Sequence, residues 1–228
     1  MIKRGIMYEK LRNIDGLKRQ RIRGIYKHWI YVSINDFHYV CDCLQKINYS
    51  IQDINGELTN NEFGMKEIVY IISLVDWIKD SYTKILEKIK KEVAQKYVFS
   101  KSSELKLAKD YFVAIRSYIV AHPMNTTRHN KFGFDGDFVC VDLKTNDSLL
   151  MPLVRENQFF SVDYYGLHNG KNKKHKYYLL SYSNNMDKNK YFKYISFSID
   201  DILKVARLYI DALYELDNLL AKLKRKDY

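Results

Sequence analysis

Cysteine is scarce in this chain, with only Cys41, Cys43 and Cys140 among 228 residues. An odd number cannot all pair, and a single Cys-x-Cys without a second Cys or His cluster lacks the spacing of a structural zinc site. Reduced, partly buried thiols are expected instead. Long apolar runs are missing as well. The longest, Ile68 to Ile72 extended through Leu74 and Val75, falls far short of the roughly 20 residues that span a bilayer. Met1 to Lys10 lacks the apolar core of a signal peptide, so the expectation is a soluble, cytoplasmic protein with no membrane partner. There is no phosphate-binding glycine loop, no Gly-x-Ser-x-Gly and no cysteine nucleophile with supporting residues, which leaves nucleotide-dependent and Ser/Cys-hydrolase chemistry without a foundation. His122, His129, Asp135 and Asp137 lack the two-His helical spacing of a metal centre, so neither metal nor cofactor is called for. Internal repeats, low-complexity tracts and linkers are absent, which favours one domain over residues 1–228.

What the chain does have is hydrophobic content and positive charge. Hydrophobic residues make up 46%, enough for a well-buried core. The net charge is +11 and the sequence pI about 9.3, a balance that favours phosphate-rich partners. Residues 1–31 carry nine basic side chains against Glu9 and Asp15, hence +7 of the +11. Tyr8, Tyr26, Trp29 and Tyr31 are interleaved with them. Such a segment either follows a nucleic-acid backbone and offers rings for stacking, or docks its aromatics on the core as a solvated basic arm.

Beyond the basic N-terminal segment, residues 1–33, Ser33 or Asn35 can cap a helix with apolar positions Ile34, Phe37, Cys41, Leu44 and Ile47 or Asn48. It should end near Ile54, because Asn55-Gly56 is a turn signal. Thr59-Asn60-Asn61-Glu62 reads as a capping box opening a long helix to about Tyr97. Its stripe is Ile68, Ile71 or Ile72, Val75, Ile78, Tyr82, Ile85 or Leu86, Ile89 and Val93. Ser102 or Ser103 begins a third helix, with Leu105, Ala108, Phe112, Ile115 and Ile119 on one side and Arg116 and Ser117 in its last turns. After Pro123 come strand candidates at Phe138 to Leu143, Phe159 to Tyr165, Tyr177 to Tyr182 and Tyr191 to Phe197, with Asn169-Gly170 as a hairpin turn before a basic tip. Ser198-x-x-Asp201 caps a final helix whose inner face is Ile202, Ala206, Tyr209 or Ile210, Leu213, Leu216 or Asp217, and Leu220. The expected fold class is mainly α (α+β). Residues 34–122 and 199–228 form a helical bundle, and residues 123–198 form a loop and small antiparallel β insertion before the C-terminal helix.

Arg116-Ser117-Tyr118-Ile119-Val120-Ala121-His122, closed by Pro123, places a permanent cation, a hydroxyl and an imidazole at the end of an otherwise apolar helix. An arginine followed directly by a polar residue, with a histidine four to six residues on, resembles the signature of the HEPN superfamily. Similar spacings occur from Arg21 and from Arg23 to His28, but Ile22 and Gly24 follow those arginines and no helical periodicity surrounds them. On a straight α-helix Arg116 and His122 lie about 120° apart. They meet only if Pro123 frees His122 from the helix end, or if a second copy of the helix packs antiparallel.

The resemblance implies a metal-independent endoribonuclease acting as a homodimer. In it His122, with an ordinary pKa of about 6.5, moves protons, Arg116 holds the phosphate as charge builds, and Ser117 bonds the phosphate or holds the arginine. An acid from a neighbouring helix, Asp76 or Asp80, would orient Arg116. The products would be a 2′,3′-cyclic phosphate and a 5′-hydroxyl, and the setting a toxin or phage-defence system with an antitoxin or defence-complex partner. Arg128, His129, Lys131 and the basic tip with Lys173 and Lys174 are candidate RNA contacts. Two plainer alternatives remain open: Arg116 pairs structurally with Asp76 or Asp80 while His122 ends the helix, or the chain is a non-catalytic basic nucleic-acid-binding or protein-interaction module.

Overall fold

The computed structural model describes residues 8–14, 17, 21–22, 25–26, 36–60, 63–89, 91–121, 138–145, 159–163, 166–169, 177–183 and 192–224. The fold is mainly helical. Two compact units make it up, Met1–Leu105 with Leu203–Tyr228, and Lys106–Ile202.

In the first unit a short antiparallel ribbon, β1 (Arg21–Ile22) and β2 (Ile25–Tyr26), precedes helix α1 (Phe37–Glu57). The buried stripe of α1 is Val40, Cys43, Leu44, Ile47, Ile51 and Ile54. Phe37 and Cys41, expected inside, are only half-buried. The expected stop at Asn55-Gly56 is also corrected, since both residues are helical. The helix closes when the Leu58 N–H donates to the Ile54 carbonyl at 2.9 Å, and the Thr59 hydroxyl caps the Gly56 carbonyl at 2.7 Å. Thr59 thus ends one helix rather than opening the next.

Helix α2 (Met65–Lys88) starts five residues later than Asn60. Its first turn is secured by Glu67, whose carboxylate accepts from the Gly64 N–H at 2.9 Å. A Cβ at position 64 would lie 3.0 Å from that carboxylate oxygen, so glycine leaves the room this closure uses. The predicted apolar stripe of α2 is buried from Ile68 through Ile85, with Leu86 half-buried. The helix does not reach Tyr97. Ile89 is extended (φ −74°, ψ 142°), and a single turn, α3 (Lys91–Ala94), follows. Ile89 and Val93 are buried all the same. Helices α1 and α2 pack as an antiparallel pair, joined by Asp36–Lys88 at 3.0 Å, the Lys46 ammonium 3.2 Å from the Trp77 ring centroid, and the Tyr70 hydroxyl donating to Asp53 at 3.0 Å.

Helix α4 (Ser102–Arg116) begins in this unit, and α5 (Ile199–Lys224) ends in it. Leu203, Val205, Ala206, Leu208, Tyr209, Ile210, Ala212, Leu213, Leu216 and Leu220 of α5 are all buried. That arc exceeds half the circumference at 3.6 residues per turn, as befits a helix surrounded by others. The Tyr82 ring of α2 meets Tyr209 of α5 at 5.4 Å, and Tyr97 donates to the Ala212 carbonyl at 2.7 Å.

The second unit contains most of α4, a π-helical turn (Ser117–Ala121), and strands β3 (Phe138–Thr145), β4 (Phe159–Asp163), β5 (Gly166–Asn169), β6 (Tyr177–Ser183) and β7 (Phe192–Phe197). The strand order is β3-β6-β7-β4-β5. The sheet is not wholly antiparallel as expected, because β4 pairs parallel to β7. Gly170 and the basic tip beyond it lie outside the described residues. Asn169 pairs with Phe160, and the β4–β5 hairpin closes between Asp163 and Gly166. Entry into α5 follows the predicted cap: the Asp201 N–H donates to the Ser198 hydroxyl at 3.1 Å, and that hydroxyl donates to the Asp201 carboxylate at 2.7 Å.

Candidate active site at the end of helix α4

Helix α4 is held by a buried stripe of Ala108, Tyr111, Phe112 and Ile115. Arg116, its last α-helical residue, lies about 40° from Phe112 around the helix at 100° per residue, on the border of that stripe, and is half-buried. Ser117 follows at 5% exposure. The two polar members of the motif therefore sit on the margin of an apolar surface, a setting that suits arginine's long aliphatic stem.

At Ser117 the helix changes character. Residues 117–121 are π-helical, a wider winding that accommodates one extra residue and is frequent at functional sites. The expected α-helical course through these residues is thereby corrected, and the 100° step does not apply across them. Strand β3, an edge of the sheet, approaches this turn. His122 lies outside the described residues, as do Arg128, His129, Lys131, Lys173 and Lys174.

Asp76 and Asp80 sit on α2, in the first unit. Asp76 is 7% exposed, whereas the Asp80 side chain is 63% exposed. Lys79 brings them together, its ammonium 2.5 Å from Asp76 and 3.0 Å from Asp80. Sequence reasoning missed Lys79. The signal was available, because Lys79 lies three residues from Asp76 and next to Asp80. Burial is also the main cause that pushes the nearby Tyr209 hydroxyl above its ordinary range, followed by the charges of Tyr82, Asp80 and Asp76. Among the described residues, no group of three or more His, Cys, Asp or Glu is arranged to hold a metal ion, and no helix is long and apolar enough to cross a membrane.

Compared with protein-family models, curated proteins and solved structures, the chain matches none. The chemistry at Arg116 and Ser117 must therefore be argued from these residues alone. A guanidinium offers five donors in a planar fork suited to a phosphodiester, and a hydroxyl beside it adds a donor or acceptor.

The basic N-terminal segment contributes a second set of contacts. Leu11, Ile14 and Leu17 are buried, and Tyr8 packs on Phe63 with ring centroids 5.4 Å apart. The Arg12 guanidinium lies 3.5 Å from the Tyr214 ring centroid, and the Tyr214 hydroxyl donates to the Asn13 carbonyl at 2.8 Å. Arg207 donates to the Glu9 carbonyl at 2.7 Å. In residues 8–17, docking on the core accounts for the aromatic residue and for Arg12.

Proposed function

We propose that the chain is a metal-independent endoribonuclease of HEPN type, working as a homodimer on RNA in a toxin or phage-defence setting. The observation that carries this reading is the half-buried Arg116 beside the buried Ser117, at the point where an apolar helix widens into a π-turn leading toward His122. Arg116 binds the scissile phosphate and offsets its growing charge, and His122 relays protons between the 2′-hydroxyl and the leaving 5′-oxygen. Ser117 orients the phosphate or the arginine. DNA, lacking the 2′-hydroxyl, is not cleaved.

The test is purified protein incubated with total RNA in EDTA, beside the His122→Ala and Arg116→Ala variants. Cleavage to 2′,3′-cyclic phosphate ends is expected from the parent chain, and a loss of about 10²- to 10⁴-fold from the histidine variant. Unchanged cleavage by His122→Ala, or a dependence on added metal, rejects the reading. The charge of residues 1–31 supports a second reading, a non-catalytic nucleic-acid-binding module. That reading predicts salt-sensitive binding that survives His122→Ala, with no cleavage by any form.

A further inference from the structure

Helices α1 and α2 turn a strip of aromatic and charged side chains away from the core. On α1 the strip is Tyr39, Asp42, Lys46, Tyr49 and Asp53, and on α2 it is Tyr70, Ser73, Trp77, Asp80 and Lys84. Both series advance by alternating steps of three and four residues, the spacing that keeps one seam of a helix toward a neighbour. All but the half-buried Ser73 are exposed, Trp77 to 42% and Tyr49 to 52%. The two series are in register, because the Lys46 ammonium lies over Trp77, the Tyr70 hydroxyl bonds Asp53, and the Lys88 ammonium lies 5.8 Å from the Tyr39 ring centroid.

Lys46 and Trp77 mark the middle of this strip. Asp53 and Tyr70 lie seven residues, about 10.5 Å, toward one end, and Tyr39 and Lys84 lie the same distance toward the other. Closer to the middle, Tyr49 is on the first side and Asp42 and Asp80 are on the second, each about 4.5–6 Å away. A two-fold axis lying in the face and crossing the helices at the middle exchanges the two ends. It sets Asp53 and Tyr70 of one copy against Lys84 and Tyr39 of the other, a carboxylate with an ammonium and a ring with a ring. It also sets Tyr49 against Asp42 and Asp80. The Tyr49 hydroxyl accepts from Gln45 Nε2 at 2.8 Å, so its own hydrogen is free for one of those carboxylates. An axis parallel to the helices would instead gather Asp42 and Asp80 of both copies at one level, and four carboxylates so placed repel.

From this self-complementarity we infer that the outer face of the α1–α2 pair docks on the same face of a second copy, with the helices antiparallel across the two-fold and Trp77 at its centre. From Lys66 to Lys88 the strip is about 33 Å long, and two helices make it about 20 Å wide. That is roughly 650 Å² per copy, close to the ~800 Å² that each partner buries in a stable complex. Tyrosine and tryptophan are the residues that interface centres favour. Nucleic acid is not the occupant, since α1 and α2 carry five lysines against seven acids despite the overall charge of +11. The surface is separate from the motif at Arg116 and stands whether or not RNA is cut.

Sedimentation velocity of the full chain over a concentration series tests this, with circular dichroism as the control for folding. The parent should dimerise. Trp77→Ala should raise the dissociation constant about thirtyfold or more, as for loss of a central aromatic anchor. Asp53→Lys and Lys84→Asp each bring like charges together across the two-fold, and each should weaken the dimer about tenfold or more. The double variant Asp53→Lys/Lys84→Asp should recover most of that loss. Positions 53 and 84 are about 21 Å apart along the helices of one copy, so the recovery arises only between copies. Lys109→Glu, at an exposed position of α4, should leave dimerisation unchanged. A monomeric parent overturns the inference. So does a dimer indifferent to Trp77→Ala, or a pair of single reversals that the double variant does not rescue. RNA cleavage by the same samples is read separately: a dimer of this kind that spares RNA rejects only the ribonuclease reading, and cleavage by a monomer rejects only this interface.

Discussion

The Asn55 carboxamide holds both backbone polar groups of Leu11: its Oδ1 accepts from the Leu11 N–H at 2.7 Å, and its Nδ2 donates to the Leu11 carbonyl at 2.9 Å. An amide side chain carries a donor and an acceptor side by side and so mimics the edge of a strand. It ties the N-terminal segment to α1 across 44 residues of sequence. Asn55→Ala should cost about 1–3 kcal/mol, because two partly buried backbone groups lose their partners. Asn55→Asp should also destabilise at neutral pH, since a carboxylate oxygen then faces the Leu11 carbonyl. Part of that loss should return below about pH 4, where the protonated carboxyl can donate. Urea titrations at both pH values, with amide exchange at Leu11, check this.

The neighbouring Gly56 predicts the opposite sign. It is exposed, helical, and has open space where a Cβ would be built. Gly56→Ala should stabilise by about 0.5–1 kcal/mol, the backbone entropy that glycine loses in a helix. Thermal unfolding would show it as a rise in midpoint. A fall would mean that Gly56 serves an interaction beyond its own helix.

These two residues also show why some of the fold was legible in the sequence and some was not. Asn-Gly is a turn signal because of local preference, yet a tertiary hydrogen bond to Leu11 and an open outer face outweigh that preference at 55–56. Apolar periodicity reports burial, and burial continued past the end of α2. Ile89 and Val93 stay in the stripe although the backbone is extended between them, and with no Gly or Pro at the break the sequence shows a longer helix than exists. The cap of α2 was hidden because its glycine has no side chain to advertise it; only Glu67 marks the site. The α5 stripe and its Ser198–Asp201 cap were readable because local preference, burial and capping agree there. At the candidate site the residue types of Arg116 and Ser117 were legible, and the π-turn after them was not, since nothing in the composition of Ser117–Ala121 distinguishes it from an α-helix.

Lys79 shows whether the acids of α2 are structural. Its side chain is 13% exposed and lies between Asp76 and Asp80. Lys79→Met should cost about 1–3 kcal/mol, because the buried Asp76 carboxylate loses one charged hydrogen-bond partner. The double variant Asp76→Asn/Lys79→Met should recover part of that loss. Chemical denaturation of the parent, Asp76→Asn, Lys79→Met and the double variant measures the coupling. Additive losses would show that Lys79 is not the ion that makes a buried Asp76 tolerable.

Alkaline stability follows from the tyrosines between α2 and α5. Tyr97 gives its hydrogen to the Ala212 carbonyl at 2.7 Å, so the 3.0 Å bond to Tyr82 is donated by Tyr82. Burial is the first cause raising the pKa of Tyr82, Tyr97 and Tyr209 above the ordinary 10.0. Folded-state values above the unfolded ones mean that the contribution is complete below about pH 10 and is lost as pH rises above it. Tyr97→Phe should cost about 0.5–1.5 kcal/mol at neutral pH, because the bond to the Ala212 carbonyl and the acceptor for the Tyr82 hydroxyl are both lost. Its stability should fall less steeply than the parent's above pH 10, because one raised hydroxyl is gone. Parallel curves for the two proteins in that range would contradict the assignment.

The π-turn supplies the sharpest structural test of the candidate site. A π-helical turn holds one residue more than the α-helix would, so deleting a single residue from 117–121 should restore α-helical winding. Ile119 is the suitable choice, being half-buried and carrying neither a charge nor a hydroxyl. The deletion removes the wider turn through which the chain passes from Ser117 toward His122. Helical circular dichroism should persist while RNA cleavage is lost, since Arg116, Ser117 and His122 all remain in the chain but in a different relation. If the deletion variant cleaves RNA at the parental rate, the π-turn has no part in positioning the histidine, and the case for a site built on this helix end loses its main structural support.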